Sequence, residues 1–573
     1  MDRLIFSTFG FYMSDSCYNG KSKFIFITGG VLSGLGKGVA AASIGALLSR
    51  FRVIPVKCDG YLNVDPGTMN PIEHGEVFVL DDGGEVDIDF GHYERFLGIN
   101  AKSEWNLTMG KVFSTLMERE KQGVYAGTTI QFIPHVTDVI KDHFFRISSK
   151  ENADILLVEI GGTVGDLENE FYIEAARQLS HIVGPDKCLF AHLTYVPIPT
   201  GTQEQKSKPT QMSVRDLNEK GIYPDIIIGR CSKQLTPKIK EKIALYGNVP
   251  SKNVISELDV KSVYEIPLGF QEEGILDIIF KKLKLAGANS PRMNEWKRLV
   301  EINRKNYKEP KKTLKIALCG KYTKLEDSYA SIREAIIHAA THLNLACDLK
   351  MIDTESLEKS ESTNNLEYIK NLLADIDAVI VPSGLGKRGM EGKISVIQAA
   401  REMKIPFLGI GYGMQLAVVE FARHKCGLPL AGTMEVESEG IEVKEPVIAY
   451  LPSPEYVKVL DGMLRKGGHD VFLKKGSLAE KIYDGASMIR ERFRYRHEVN
   501  PRYVSKIEEN GMLFSGYSAK EDSIMQMMEI SEHPFFVGCQ FHPELTSNLL
   551  KPSPLFYHLL KAGEKRAKRV ENE

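Results

Sequence analysis

The chain has 573 residues, 43% hydrophobic and 26% charged, with a formal net charge of −2 and a pI near 6.7. That composition leaves room for about two to four globular domains and excludes a strongly basic nucleic-acid binder or an acidic disordered chain, so small-molecule partners are expected, with no nucleic acid and no membrane. No run reaches the ~18 apolar residues of a membrane helix, and the eight cysteines form no CxxC pair, several of them lying in apolar runs such as "KIALCGKY" and "FVGCQF", a pattern of buried thiols in a reducing, cytoplasmic setting.

Residues 1–22 read as a loose extension. From Lys23, "KFIFITGG" predicts an apolar strand running into a glycine loop, and "GVAAASIGALLSRF" a helix after it. Similar strands follow at "RVIPVKCD", "ADILLVEIGG", "KCLFAHLTYVP" and "YPDIIIGRC"; continuous Ile/Val/Leu strands between helices predict a parallel sheet buried on both faces, giving a first domain over 23–288. The polar, basic, proline-punctuated stretch 289–312 is expected to be a linker. A second α/β series, 313–563, begins with "TLKIALCGKY", "IDAVIVPSG" and "IPFLGIGYG" and later carries "FFVGCQFHPE"; a charged tail, 564–573, closes the chain.

The loop "GGVLSGLGKGVAA" follows a strand and opens a helix, so its backbone N–H groups can cradle phosphate with Lys37 as point charge. It departs from the Walker A form: its spacing is one residue longer, and Gly38 stands where a magnesium-binding hydroxyl belongs. Magnesium must then find carboxylates, and Asp89 in "GEVDIDFGHYERF" and Glu159 in "LLVEIGGTVGD" are the candidates at strand ends. In "EQKSKPTQ", Lys206 and Lys208 flank a serine on a stretch expected to be non-helical before Pro209, a second triphosphate clamp with Lys242 beyond.

"FITGGVLSGLGKG", "YLNVDPGTMNPIEHGEVFVLDDGGEVDIDFGHYERF", "VEIGGTVGD" and "QKSKPTQ" resemble the CTP synthase family from Lys23 to about Gly563. The resemblance implies an N-terminal P-loop-like amidoligase domain with a parallel sheet and a C-terminal class I glutaminase-like α/β domain. It implies that ATP phosphorylates O4 of UTP and that ammonia displaces the phosphate to give CTP. By the same resemblance, Lys37 and Lys57 serve the transferred phosphoryl group, and Asp89 and Glu159 hold Mg2+. ATP is expected at Gly34, Leu35, Gly36, Lys37, Gly38, Val39, Asp89 and Arg230. UTP is expected at Ser33, Lys206, Lys208, Gln211 and Lys242, with Asp166 and Glu168 on the loop that contacts product CTP. His74 and Val77 match the ammonia entry; GTP as an allosteric effector, a homotetramer and filaments also belong to the family pattern.

In the second domain, "KIPFLGIGYGMQLAVVEFA" has the layout of a nucleophile elbow: strand, sharp turn, helix. The family elbow reads G-[IV]-C-x-G-M-Q, whereas "GIGYGMQ" places Gly411 at the cysteine position, followed by Tyr412, with Gln415 further along the glutamine pocket. The resemblance assigns His542 and Glu544 of "CQFHPEL" as the nucleophile's partners and Arg496 as the glutamine-carboxylate ligand, with Arg494 two residues away. "PSGLG" puts Ser383, before Gly384, where the oxyanion strand normally has glycine, and Glu435 sits in a stretch that matches the family poorly. Several changes in one pocket point to natural decay, hence to CTP synthesis from ammonia. Glutamine-dependent synthesis, and a catalytically quiet partner of an active synthase, are the alternatives.

Overall fold

The computed structural model describes residues 20–64, 76–287, 290–310, 312–323, 326–358, 365–450, 457–459, 462–518 and 521–570. The chain divides into two compact units, one of Met1–Pro66 with His92–Lys297 and the other of Gly67–Gly91 with Arg298–Glu573.

In the first unit, seven strands form an all-parallel sheet in the spatial order Asn106–Thr108, Val53–Asp59, Ile155–Ile160, Lys23–Gly29, Cys188–Tyr195, Ile226–Cys231, Val254–Leu258. Phe24, Ile25, Phe26 and Ile27 are all fully buried, so successive side chains on opposite faces both meet packed helices, which is why the strand reads as an unbroken apolar run. The central strand Lys23–Gly29 lies between a strand from later in the chain on each side. Its carboxyl end is therefore where connections to either side diverge and leave a crevice. The register sets Lys57 beside Glu159 there.

Among the described residues the second unit has a ten-stranded sheet, with Val457–Val459 at one edge. Ala346–Asp353, Thr313–Gly320, Ala378–Val381, Phe407–Ile410 and Phe536–Cys539 run parallel. Antiparallel strands Glu521–Ile530, Met512–Ser518, Gly462–Leu473 and Met488–Tyr495 extend it. Alternation is visible in the core: Val379, Val381 and Phe407 pack with the helices Met390–Glu402 and Tyr412–Lys425, whereas Ala378, Ile380, Leu408 and Ile410 pack with Ala330–Leu343 and Pro554–Val570. The hairpin Phe78–Val79 with Glu85–Val86, although early in sequence, belongs to this unit. Arg490 binds Asp81, Arg494 binds Glu85 at 2.7 Å, and Arg492 donates to the Val79 carbonyl at 3.2 Å.

Two local expectations change. The stretch expected as a linker contains the helix Arg292–Lys308, with Met293, Trp296, Leu299 and Val300 buried at helical spacing. Likewise Lys208 is not on a non-helical stretch but opens the helix Lys208–Glu219, because Pro209 sits in the first turn, where its missing N–H breaks no helical hydrogen bond. Among the described residues no helix is long and apolar enough to cross a membrane.

Candidate functional site

In the first unit the strand Lys23–Gly29 runs into the helix Lys37–Leu47 through Val31, Gly34 and Gly36, all at positive φ. Gly36, at φ 92°, is the N-cap residue. Lys37 is nearly buried and its Nζ donates to the Gly162 carbonyl at 2.6 Å. Its stem crosses Gly29 so closely that a Cβ there would lie 2.7 Å from Lys37 Cδ, which explains the glycine. Beneath the loop, a Cβ on Gly30 would collide with Ser213 Oγ. Ser213 in turn hydrogen-bonds His192 Nε2 at 2.7 Å, and His192 Nδ1 bonds Thr28 Oγ1 at 2.8 Å. Burial lowers the His192 pKa to about 3, so this support stays neutral.

Lys57 Nζ lies 2.8 Å from Glu159 Oε1 and 3.8 Å from Asp59 Oδ1, all three buried at the carboxyl ends of adjacent strands. Tyr93 donates its hydroxyl to Glu159 Oε2. Two carboxylates around one ammonium leave a net negative charge of hard oxygens, a donor set that suits a divalent cation completed by phosphate oxygens. Asp89 opens the helix Asp89–Leu97 and falls in the residues of the second unit.

Arg230 donates from Nη1 to the Leu35 carbonyl at 2.6 Å and pairs with Asp259 at 3.0 Å, so it holds the loop from the strand Ile226–Cys231. Gly38 is buried and Val39 half-buried in the helix's first turn. Ser33 is exposed. Asp166 accepts from the Thr163 N–H at 2.8 Å, and Glu168 is exposed in the next turn. Gln211 donates to Ser207 Oγ at 2.9 Å, Lys206 pairs with Glu204, and Lys208 and Lys242 are exposed. Sequence reading missed Glu257, which is buried beside Arg230. Its Oε1 lies 3.7 Å from where a Gly36 Cβ would be, and burial pushes its carboxyl up to about 8. Its only signal was an acid at the end of an apolar strand.

In the second unit, Gly411 stands at φ 56° and ψ −113° between the strand Phe407–Ile410 and the helix Tyr412–Lys425. The strained elbow survives, although the residue that occupies it is free of that strain. Gly413 is demanded by packing, since a Cβ would run into the Val381 carbonyl. A Cβ on Gly411 would point at Ser383 Oγ, 3.2 Å away, and His542 Nε2, 3.6 Å away. His542 Nδ1 is 2.8 Å from Glu544 Oε1, so the pair expected as base and orienting acid is in hydrogen-bond contact. No described thiol replaces the nucleophile: Cys539 is fully buried, and burial pushes its pKa well up.

Two lysines hold the stretch expected as the oxyanion strand. The buried Lys393 donates to the carbonyls of Pro382 at 3.0 Å and Ser383 at 3.2 Å, and Lys321 donates to Leu385. Gly384, at φ 129°, lies against both lysines. Desolvation, then the neighbouring Lys321, lowers the Lys393 pKa to about 7. Glu435 binds His497 Nδ1 at 2.7 Å and lies 3.6 Å from Arg496 Nε, while Arg494 turns to Glu85. Gln415 and Gln540 both donate to the His497 carbonyl, at 2.6 and 2.9 Å. Tyr412 is buried, its hydroxyl has no hydrogen-bond partner among the described residues, and its ring centroid is 5.6 Å from Lys393 Nζ.

A cavity of about 320 Å³ opens beside this cluster, lined in part by Val77, Ser383, Gly384, Arg494, His542 and Glu544. His74 lies outside the described residues.

Two family models match the chain: "CTP synthase N-terminus" over residues 23–285 and "Glutamine amidotransferase class-I" over residues 324–562. A CTP synthase of Borreliella afzelii (strain PKo) is 51% identical over 541 residues, covering 94% of this chain and 99% of its own. One of Archaeoglobus fulgidus is 44% identical over 551 residues, covering 96% and 100%. The solved glutaminase domain of a Trypanosoma brucei CTPS with bound acivicin is 30% identical over 44% of this chain and 94% of its own, with a TM-score of 0.40. Both halves are matched in order, and the relatives align over nearly their whole length: the chain belongs to the CTP synthase family.

Proposed function

We propose that this chain makes CTP from UTP, ATP and ammonia, and that its glutaminase half no longer supplies the nitrogen. The observation that carries the second statement is Gly411: an elbow with its base and acid in place and no nucleophile between them. Covalent glutamine hydrolysis needs a thiolate on that turn, and removing the nucleophile from such a unit costs on the order of a millionfold in rate. Ser383 at the expected oxyanion strand, its carbonyl bound by Lys393, supports the same reading.

In the synthase half, phosphoryl transfer requires positioning and charge neutralisation more than covalent chemistry. The loop from Gly34 to Val39 would cradle ATP phosphates, with Lys37 as the charge at the helix start and Arg230 bracing the loop through Leu35. Lys57, buried and fixed by Glu159, would meet the transferred phosphoryl group as it leaves for O4 of UTP. Glu159 and Asp89 are the proposed Mg2+ ligands, and the bound ion would neutralise charge on the phosphates. Ser33, Lys206, Lys208, Gln211 and Lys242 would bind UTP, and Asp166 and Glu168 product CTP. Val77, on the wall of the cavity beside His542, supports ammonia entry there. A GTP response and assembly into tetramers follow the family pattern.

CTP formation assayed with ammonium and with glutamine in parallel tests the reading: turnover with ammonium alone supports it, and equal turnover with glutamine refutes it.

A further inference from the structure

We propose that the cavity walled by Ser383, His542 and Glu544 is a binding site for the ammonium cation, an inference that rests on the ammonia-dependent reading above. The polar wall of this cavity includes Glu76, Ser328, Ser383, Arg494, His542 and Glu544. Three buried polar atoms of these residues have no hydrogen-bond partner among the described residues: His542 Nε2, Glu544 Oε2 and Ser328 Oγ. Glu544 is only 3% exposed, so its unused oxygen is a fully desolvated acceptor.

The chemistry of these atoms selects the ligand. With His542 Nδ1 directed at Glu544 at 2.8 Å, the neutral ring carries its proton on Nδ1 and offers Nε2 as an acceptor. A carboxylate oxygen accepts only, and a serine hydroxyl can accept. The guanidinium at the wall, Arg494, is engaged by Glu85 at 2.7 Å, and Glu76 accepts from the Ser331 N–H at 2.9 Å. A pocket of unused acceptors with carboxylates in its wall matches a small cation that donates from every face, which ammonium does through four N–H groups. Loss of the thiol at Gly411 thus leaves a nitrogen-collecting site where a nitrogen-releasing one stood.

The probe is methylammonium, almost entirely cationic at neutral pH, titrated calorimetrically into the full chain at pH 7 against an equal sodium chloride background. Saturable binding is expected, weakened about tenfold in Glu544→Gln and in His542→Ala, with a parallel rise of about tenfold in the KM for ammonium in CTP formation. Absence of saturable binding, or binding and KM unchanged in both variants, overturns the site. If the wild-type chain makes CTP from ammonium while both variants leave binding and KM untouched, the site falls and the ammonia-dependent reading stands. If it binds methylammonium with the predicted variant dependence yet makes no CTP from ammonium, that reading falls and the binding site stands.

Discussion

Restoring the nucleophile by Gly411→Cys measures how far the elbow has drifted. At φ 56° and ψ −113° an L residue carries backbone strain of about 1–3 kcal/mol. The new Cβ would also lie 3.2 Å from Ser383 Oγ and 3.3 Å from Ser383 Cβ, tighter than ordinary contact, so Ser383 must retreat while Lys393 holds its carbonyl. Together these terms give roughly 2–4 kcal/mol. At ~2–4 °C per kcal/mol for a domain of this size, the apparent unfolding temperature should fall by about 4–16 °C. Glutamate release from glutamine should stay below about 1% of the ammonia-dependent rate, because the oxyanion donors must meet the developing charge within about half an ångström. Adding Ser383→Gly should recover part of the stability and raise glutaminase activity at least about tenfold. Calorimetry and a coupled glutamate assay read both quantities. A Gly411→Cys chain as stable as the parent, or one that hydrolyses glutamine as fast as the parent uses ammonia, refutes this account of the pocket.

Three further outcomes are expected. The Lys393 amine sits at about 7 in the fold against an ordinary 10.5, so the unfolded chain binds the extra proton between those values and this group favours folding more as pH rises from about 7. The stability of the parent relative to Lys393→Met, from denaturant melts, should therefore rise by up to about 1.4 kcal/mol per pH unit between about pH 7.5 and 9.5; a constant difference would sink the assignment. Glu159→Gln should abolish CTP formation and, by leaving Lys57 buried beside a neutral partner, cost about 3–5 kcal/mol, whereas Lys57→Met with Glu159→Met should cost less than either single change; additive melts would contradict the ion pair. Lys37→Ala should lower ammonium-dependent CTP formation at least about a hundredfold, and a KM change alone would remove Lys37 from the phosphoryl step.

The parallel sheets were legible because strands buried on both faces leave uninterrupted apolar runs, and the elbow because Gly409, Gly411 and Gly413 each answer a backbone demand. What stayed hidden depends on long-range pairing. Lys393 occupies an ordinary helix position, and only its neighbours reveal a desolvated amine under the oxyanion strand. His192 and Ser213 are 21 residues apart, and nothing local to either says that they brace the phosphate loop together. Glu435 looked like a weak counterpart in a poorly matching stretch, yet His497 and Arg496 converge on it across the fold. The helix Arg292–Lys308 was masked by its charge, since its buried stripe of Met293, Trp296, Leu299 and Val300 is narrow. Lys208 was misplaced because proline was read as a breaker rather than as a first-turn residue.

The most direct measurement is the initial rate of CTP formation by the unaltered chain with UTP, ATP and Mg2+, once with ammonium chloride and once with glutamine in ammonia-free buffer with GTP present. The account predicts robust turnover with ammonium and, with glutamine, a rate indistinguishable from the donor-free blank. Glutamine-dependent CTP formation comparable to the ammonium rate would contradict it, since no described residue at Gly411 could then account for the nitrogen released.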